Sequence, residues 1–147
     1  MNKVLIAVLV VLGIVIVGGA VITFSAVDHA VNDTKGECKY TATVVDSYTY
    51  DGILGPTVDH PGDGKKFVRV TGTLTNEQDT YTVSNNPYNF KLNASGLLYT
   101  YDHKNYETVD IANGGTASFD LCFEVPDTAS DFELQWEGLA KIKMTKQ

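Results

Sequence analysis

KKFVRVTGTLTN, Lys65–Asn76, decides the fold. Val68, Val70, Gly72 and Leu74 fall on one face of an extended chain; Phe67, Arg69, Thr71 and Thr73 fall on the other. Strand side chains alternate between faces, so a period of two with one apolar side reads as a half-buried β-strand. The β-branched residues that fill it suit a pleated surface. Asn76-Glu77-Gln78-Asp79 closes the stretch as a turn.

The same alternation recurs on both sides. Cys38, Tyr40, Ala42 and Val44 alternate with Lys39, Thr41 and Thr43, and β-branched and aromatic residues continue to Tyr50. Residues 51–64 contain DGILGP and DHPGDG, a density of Gly and Pro that predicts a long loop. Tyr81-Thr82-Val83 reads as a short strand and Ser84-Asn85-Asn86-Pro87 as a turn. Residues 89–93 and 97–101 flank Ala94-Ser95-Gly96 as a hairpin. After Asn113-Gly114-Gly115, Phe119, Leu121, Phe123 and Val125 face one way and Asp120, Cys122 and Glu124 the other. Phe132, Leu134 and Trp136 alternate, as do Ala140, Ile142 and Met144 against Lys141, Lys143 and Thr145. The sum is about eight or nine strands with regular turn signals, an all-β, two-layer antiparallel sandwich.

The one helical stretch predicted lies before these strands. Residues 4–27, VLIAVLVVLGIVIVGGAVITFSAV, carry no charge over 24 positions. As a helix they would extend about 36 Å, enough for a hydrocarbon core of about 30 Å. The expected division is a hydrophobic transmembrane helix in residues 1–31, a polar stalk in 32–37 and the sandwich in 38–147. A cleaved signal peptide has a shorter apolar region, although Gly18-Gly19-Ala20 and Thr23-Phe24-Ser25 offer cleavage sites. A filament-core helix is the third reading. Gly19, Thr23, Ala26 and Ala30 share one helix face, where small residues let helices associate closely. Lys3 before the run puts the N-terminus in the cytoplasm and the sandwich outside the cell.

The outer part is acidic. The chain of 147 residues carries a net charge of −7. This excludes a role built on phosphate contacts, so nucleic acid is not an expected partner. The partners expected are membrane lipid through residues 4–27, a further copy of the chain, and a protein or glycan on a surface. The two cysteines, Cys38 and Cys122, stand near the two ends of the outer part. Outside the cytoplasm an even count predicts one disulfide, worth about 4 kcal/mol for a loop this long. Two sequons, Asn32-Asp33-Thr34 and Asn93-Ala94-Ser95, predict glycan acceptors at Asn32 and Asn93.

No nucleophile elbow, phosphate loop, zinc-protease helix or C-x-x-C is present, and no catalytic residue is assigned. All three histidines follow an aspartate: Asp28-His29, Asp59-His60 and Asp102-His103. Together they would offer imidazole and carboxylate ligands to a metal, but polar pairs of this kind more often occupy loops. Asp59 and Asp63 are candidate Ca²⁺ ligands without EF-hand spacing. No metal or cofactor is expected. Tyr48, Tyr50, Tyr99, Tyr101 and Tyr106 would make either an aromatic binding face or cross-strand packing.

Lys66-Phe67-Val68-Arg69-Val70 leading to Thr75-Asn76, then Tyr81-Thr82-Val83, Phe90-Lys91-Leu92, Gly96 to Tyr99, and Gly114-Gly115 before Phe119 to Pro126 form a further pattern. In it, residues 37–138 resemble the telokin-like, immunoglobulin-like domain of unknown function found in secreted and membrane-anchored bacterial and archaeal proteins. The resemblance implies an Ig-like β-sandwich on the cell surface and no established catalytic residue. Many relatives are tethered by a lipidated N-terminal cysteine, whereas no cysteine precedes Cys38 here, so the helix must tether this chain. The usual Pro-Gly-Glu-like turn is replaced by Asn113-Gly114-Gly115. The expectation is a non-enzymatic, single-pass surface domain for adhesion, envelope contact or partner binding. The alternatives are a subunit of a pilin-like filament with the helices in its core, and a secreted ligand-binding module released by cleavage.

Overall fold

A computed structural model describes residues 35–147. The expected transmembrane helix, its Gly19, Thr23, Ala26 and Ala30 face, and the Asn32 sequon lie outside the described residues. Among the described residues no helix is long and apolar enough to cross a membrane.

The described chain is all-β. Its strands are β1 (Gly36–Val45), β2 (Tyr48–Gly52), β3 (Gly55–Asp59), β4 (Lys65–Asn76), β5 (Val83–Ser84), β6 (Phe90–Ala94), β7 (Leu97–Tyr99), β8 (His103–Lys104), β9 (Asp110–Ile111), β10 (Thr116–Pro126), β11 (Glu133–Trp136) and β12 (Lys143–Lys146). A five-stranded sheet runs β12-β1-β4-β10-β8, and a three-stranded sheet runs β11-β6-β7. The pairs β2-β3 and β5-β9 form two small sheets.

The strand count exceeds the sequence expectation for two reasons. The Gly- and Pro-rich loop contains the hairpin β2-β3, and the short bridges β5, β8 and β9 are held by tertiary contacts rather than by their own periodicity. The sheet is also not purely antiparallel, because β12 returns parallel to β1, with Glu37 opposite Lys143 and Tyr40 opposite Lys146.

The strand at Lys65–Asn76 is the centre of the large sheet, paired along its whole length with β1 and β10. Its inner face follows the alternation: Val68, Val70 and Leu74 are fully buried. Phe119, Leu121, Phe123 and Val125 of β10 meet Phe90, Leu92 and Ala94 of β6 and Leu134 of β11 between the layers. Phe90 and Phe119 rings lie 4.6 Å apart. Burying such side chains contributes about 1.5–3 kcal/mol each. Tyr40 joins the layers by a hydrogen bond, its hydroxyl oxygen accepting the buried Leu134 N–H at 3.0 Å. Gly72 makes room for this packing, because a side chain there would strike the Lys39 carbonyl and the Phe119 ring.

The opposite face of the large sheet is largely hydroxylic. Thr41 and Thr71 hydroxyls meet at 3.1 Å and Thr75 and Thr116 at 2.8 Å. Its far half carries a second, smaller apolar cluster of Tyr48, Phe67 and Cys122, with Val45 and Tyr50 against it. The hairpin covers that cluster.

The expected disulfide is not made. Cys38 and Cys122 are free, buried thiols. Cys38 is opposite Leu74 and Cys122 opposite Arg69, on the two strands that flank β4. Positions 74 and 69 differ by an odd number, so the two thiols project from opposite faces of one sheet. They are about 17 Å apart along the strands and about 10 Å across them, against a Cα separation below about 7 Å for a disulfide. Burial, with carboxylates nearby, pushes each thiol up to about 12.

Candidate functional site

The site is built on the hairpin β2-β3. Gly52 is opposite Gly55 in its register, so Ile53 and Leu54 alone form the turn. The positive φ that the turn needs falls on Gly55, at +116°, so two bulky aliphatic residues can stand at the apex. Short hairpin loops usually carry Asn, Asp or Gly at the apex. Here Ile53 and Leu54 are 105% and 102% exposed, and Val58, opposite Thr49 towards the base, is 57% exposed. Turn geometry does not require them, and solvation opposes them.

The base of the hairpin is clamped to the sheet. Tyr48 and Tyr50, on its inward face, lie parallel to the His103 ring, with centroids 6.2 Å and 4.2 Å away. His103 Nε2 meets Asp59 Oδ2 at 2.9 Å and Asp102 Oδ2 at 3.5 Å. Asp59 Oδ1 accepts the His60 backbone N–H at 2.9 Å. That N–H first, and His103 second, hold the Asp59 carboxyl below its ordinary value. The His60 ring Nδ1 lies 3.1 Å from the Asp46 carbonyl, closing the loop on itself.

Beneath the hairpin lies an ion pair. Arg69 Nε and Nη2 donate to Asp120 Oδ1 and Oδ2 at 3.0 and 2.7 Å. The Tyr48 hydroxyl donates to Asp120 Oδ1 and to its carbonyl, both at 3.0 Å. Burial and the Asp120 charge raise the Tyr48 phenol far above its usual range, so it stays a donor. The loop after β3 is tied down by Glu124, which accepts from Gly62 N–H at 2.8 Å and Lys65 Nζ at 2.6 Å. Lys65 first, then the Gly62 N–H, lower the Glu124 carboxyl.

The residues singled out by sequence divide as follows. Two of the three Asp-His pairs converge, through Asp59 and His103, while the Asp28-His29 pair lies outside the described residues. Among the described residues no group of three His, Cys, Asp or Glu side chains is placed to hold a metal ion. The imidazole is committed to a carboxylate and to the tyrosine rings.

The five tyrosines do not make one binding face. Tyr48 and Tyr50 belong to the hairpin cluster, whereas Tyr99, Tyr101 and Tyr106 pack on the main core. The Tyr106 hydroxyl donates to the Asn85 carbonyl at 2.6 Å. Asn93 sits at the end of β6, half-buried, where its Oδ1 accepts the Gly96 N–H at 3.0 Å. Ser95 of the same sequon exchanges hydrogen bonds with Ser130.

Sequence reading missed Ile53 and Leu54, because Gly and Pro around them read as loop. The available signal was a pair of large aliphatics between two glycines spaced for a two-residue turn. Set against known proteins, the chain matches no family model, no curated protein and no solved structure.

Proposed function

We propose that the chain is a non-enzymatic surface protein, an Ig-like β-sandwich held outside the cell by an N-terminal membrane anchor in residues 4–27. Its contact element is the β2-β3 hairpin. The observation that carries this reading is the fully exposed Ile53-Leu54 apex on a hairpin whose base is fixed by Tyr48, Tyr50, Asp59 and His103. An apolar tip on a rigid base is suited to binding, since little conformational entropy is lost on contact. The polar groups beneath it are bonded to one another and Cys122 is buried, which suits a structural clamp rather than a reaction centre. The resemblance to the telokin-like, Ig-like domain supports the same placement. Asn32 and Asn93 are its glycan acceptors.

The test uses intact cells producing the full chain with Ile53→Cys. The native thiols are buried, so a membrane-impermeant maleimide reports the tip alone. Labelling of intact cells, with the protein in the membrane pellet and Met1 at its N-terminus, supports the reading. Labelling only after lysis overturns it, as does recovery from the medium with a start after residue 20 or 25.

A further inference from the structure

The hairpin leads into the start of β4, and a groove lies past its end. It measures about 560 Å³ and is lined by Gln78, Tyr81, Thr82, Leu139 and Ala140. A smaller recess of about 200 Å³ shares the Thr82, Leu139 and Ala140 wall and reaches Ser84, Asn89 and Trp136. Trp136 is the single tryptophan of the chain. Its Nε1–H donates to the Ala140 carbonyl at 2.8 Å, and the Phe90 ring stands across it at 5.1 Å. A side chain at Gly138 would strike the indole, so the ring is fixed from that side too. Leu139 is 108% exposed and Tyr81 71% exposed, so the apolar wall is open to solvent.

The backbone along the groove is committed to the fold. The Tyr81 carbonyl accepts from Asn76 Nδ2 at 2.9 Å, the Ser84 carbonyl from Asn89 Nδ2 at 3.1 Å, and the Ala140 carbonyl from Trp136. A peptide that adds itself as a strand needs free backbone groups, and these three are taken. The side chains are different. Among the described residues the Gln78 amide and the Thr82 and Ser84 hydroxyls make no hydrogen bond with the chain. An amide or a hydroxyl can both donate and accept, as can each hydroxyl of a sugar. No charged side chain lines the groove among the described residues. Glu77 and Asp79 flank Gln78, and Lys141 follows Ala140, so both signs stand at its margins. A charged ligand would meet repulsion from one of them; a neutral ligand meets none.

We propose that this groove binds an uncharged oligosaccharide. The C–H faces of its rings lie against Trp136, Tyr81 and Leu139, while the Gln78 amide and the Thr82 and Ser84 hydroxyls bond its hydroxyl groups. Apolar walls with a few placed polar groups are the usual make-up of a small-ligand site. The fixed indole adds a surface that loses little freedom on binding. The groove is open along one side, so the site is shallow and its affinity for a short sugar is modest, with a Kd of about 1 mM. The hairpin takes no part in it, and the groove is a second contact element of the domain.

The single tryptophan makes the groove its own reporter. The experiment uses the full chain in a polyoxyethylene detergent, which carries no sugar headgroup, and follows Trp136 fluorescence. The probes are the hexasaccharides of β-1,4-linked glucose, β-1,4-linked N-acetylglucosamine and α-1,6-linked mannose. A saturable change with at least one of them is expected. Gln78→Ala and Thr82→Ala are each expected to raise its midpoint about tenfold with the melting temperature unchanged, and Thr73→Ala, on the outer face of the large sheet, to leave it unaltered. The absence of a saturable change with all three probes, up to about tenfold the expected Kd, overturns the proposal. So does a change that Gln78→Ala and Thr82→Ala leave intact. A tighter response to a decaproline peptide than to any hexasaccharide would mean a peptide groove and also overturn it. Each of these failures leaves the surface reading intact if the hairpin tip is still labelled on whole cells.

Discussion

The imidazole of His103 and the carboxylate of Asp59 meet at 2.9 Å, and this pair joins edge strand β8 to the base of a hairpin that shares no strand pairing with the large sheet. The hairpin is thus a separate small sheet held by side chains. Parallel stacking of Tyr50 on the same imidazole, 4.2 Å away, makes His103 an anchor of the hairpin beside Tyr48, whose hydroxyl is bonded to Asp120.

Replacing His103 with Ala is therefore expected to loosen residues 48–59 without unfolding the sandwich. Loss of the close Tyr50 stacking, the longer ring contacts to Tyr48 and Phe67 and the Asp59 hydrogen bond costs about 2 kcal/mol. Hydrogen exchange should accelerate in β2 and β3 and stay unchanged in β4 and β10. Equal acceleration throughout would show that the hairpin is not an independent unit.

The hairpin should also be acid-sensitive. Asp59 and Glu124 both titrate below their ordinary values, because backbone N–H groups, His103 and Lys65 favour the ionised form. A carboxyl depressed in the folded state binds protons less readily there than in the unfolded chain. Its stabilisation is present above the unfolded value of about 4 and is lost as pH falls through the folded value. Near-ultraviolet circular dichroism of the tyrosines, followed from pH 6 downward, should change below about pH 4. Asp59→Asn should flatten that change, and an unaltered acid profile in the variant would contradict it.

Both cysteines are expected to behave as thiols inaccessible to reagents. Their titration is pushed up to about 12 and each is buried, so alkylation should require denaturant. Reductant should leave both the melting temperature and the electrophoretic mobility unchanged. Cys122→Ser, which places a hydroxyl beside Tyr48 and Phe67, should cost about 1–2 kcal/mol.

Asn76 ties the end of the central strand to two loops. Its Nδ2 donates to the Tyr81 and Ile111 carbonyls at 2.9 and 2.8 Å, and its Oδ1 accepts the Gln78 N–H at 2.8 Å. The side chain is fully buried. Asn76→Leu leaves these three groups without a partner and should cost about 3 kcal/mol in urea denaturation. A loss under about 1 kcal/mol would show that water replaces the amide.

Much of the architecture is legible in single residues. The alternation in Lys65–Asn76 names the bounds of β4 and the side chains it buries between the layers, Val68, Val70 and Leu74, but not Phe67, which lies on the other face and is buried by the hairpin. The alternation in β10 likewise puts Cys122 on the face away from Phe119 and Phe123. That placement, compared with the phase of Cys38 beside Tyr40, already argues against their disulfide; counting cysteines without comparing phases led to the opposite expectation. Val44 breaks the rule, being 48% exposed near the end of β1 where no second layer covers it.

Sequence alone determined that the chain from Cys38 onward is all-β, which side chains build its core, and that an uncharged run long enough for a bilayer precedes it. These follow from local periodicity and length. Tertiary structure alone decided that β12 pairs parallel to β1, that Asp59 finds His103 across 44 positions, and that Ile53-Leu54 is a solvent-facing apex rather than part of an irregular loop. Those depend on which face of which strand meets which neighbour. Contacts between residues far apart in the chain leave no periodic trace, so only the folded arrangement brings the clamp and its apolar tip into being.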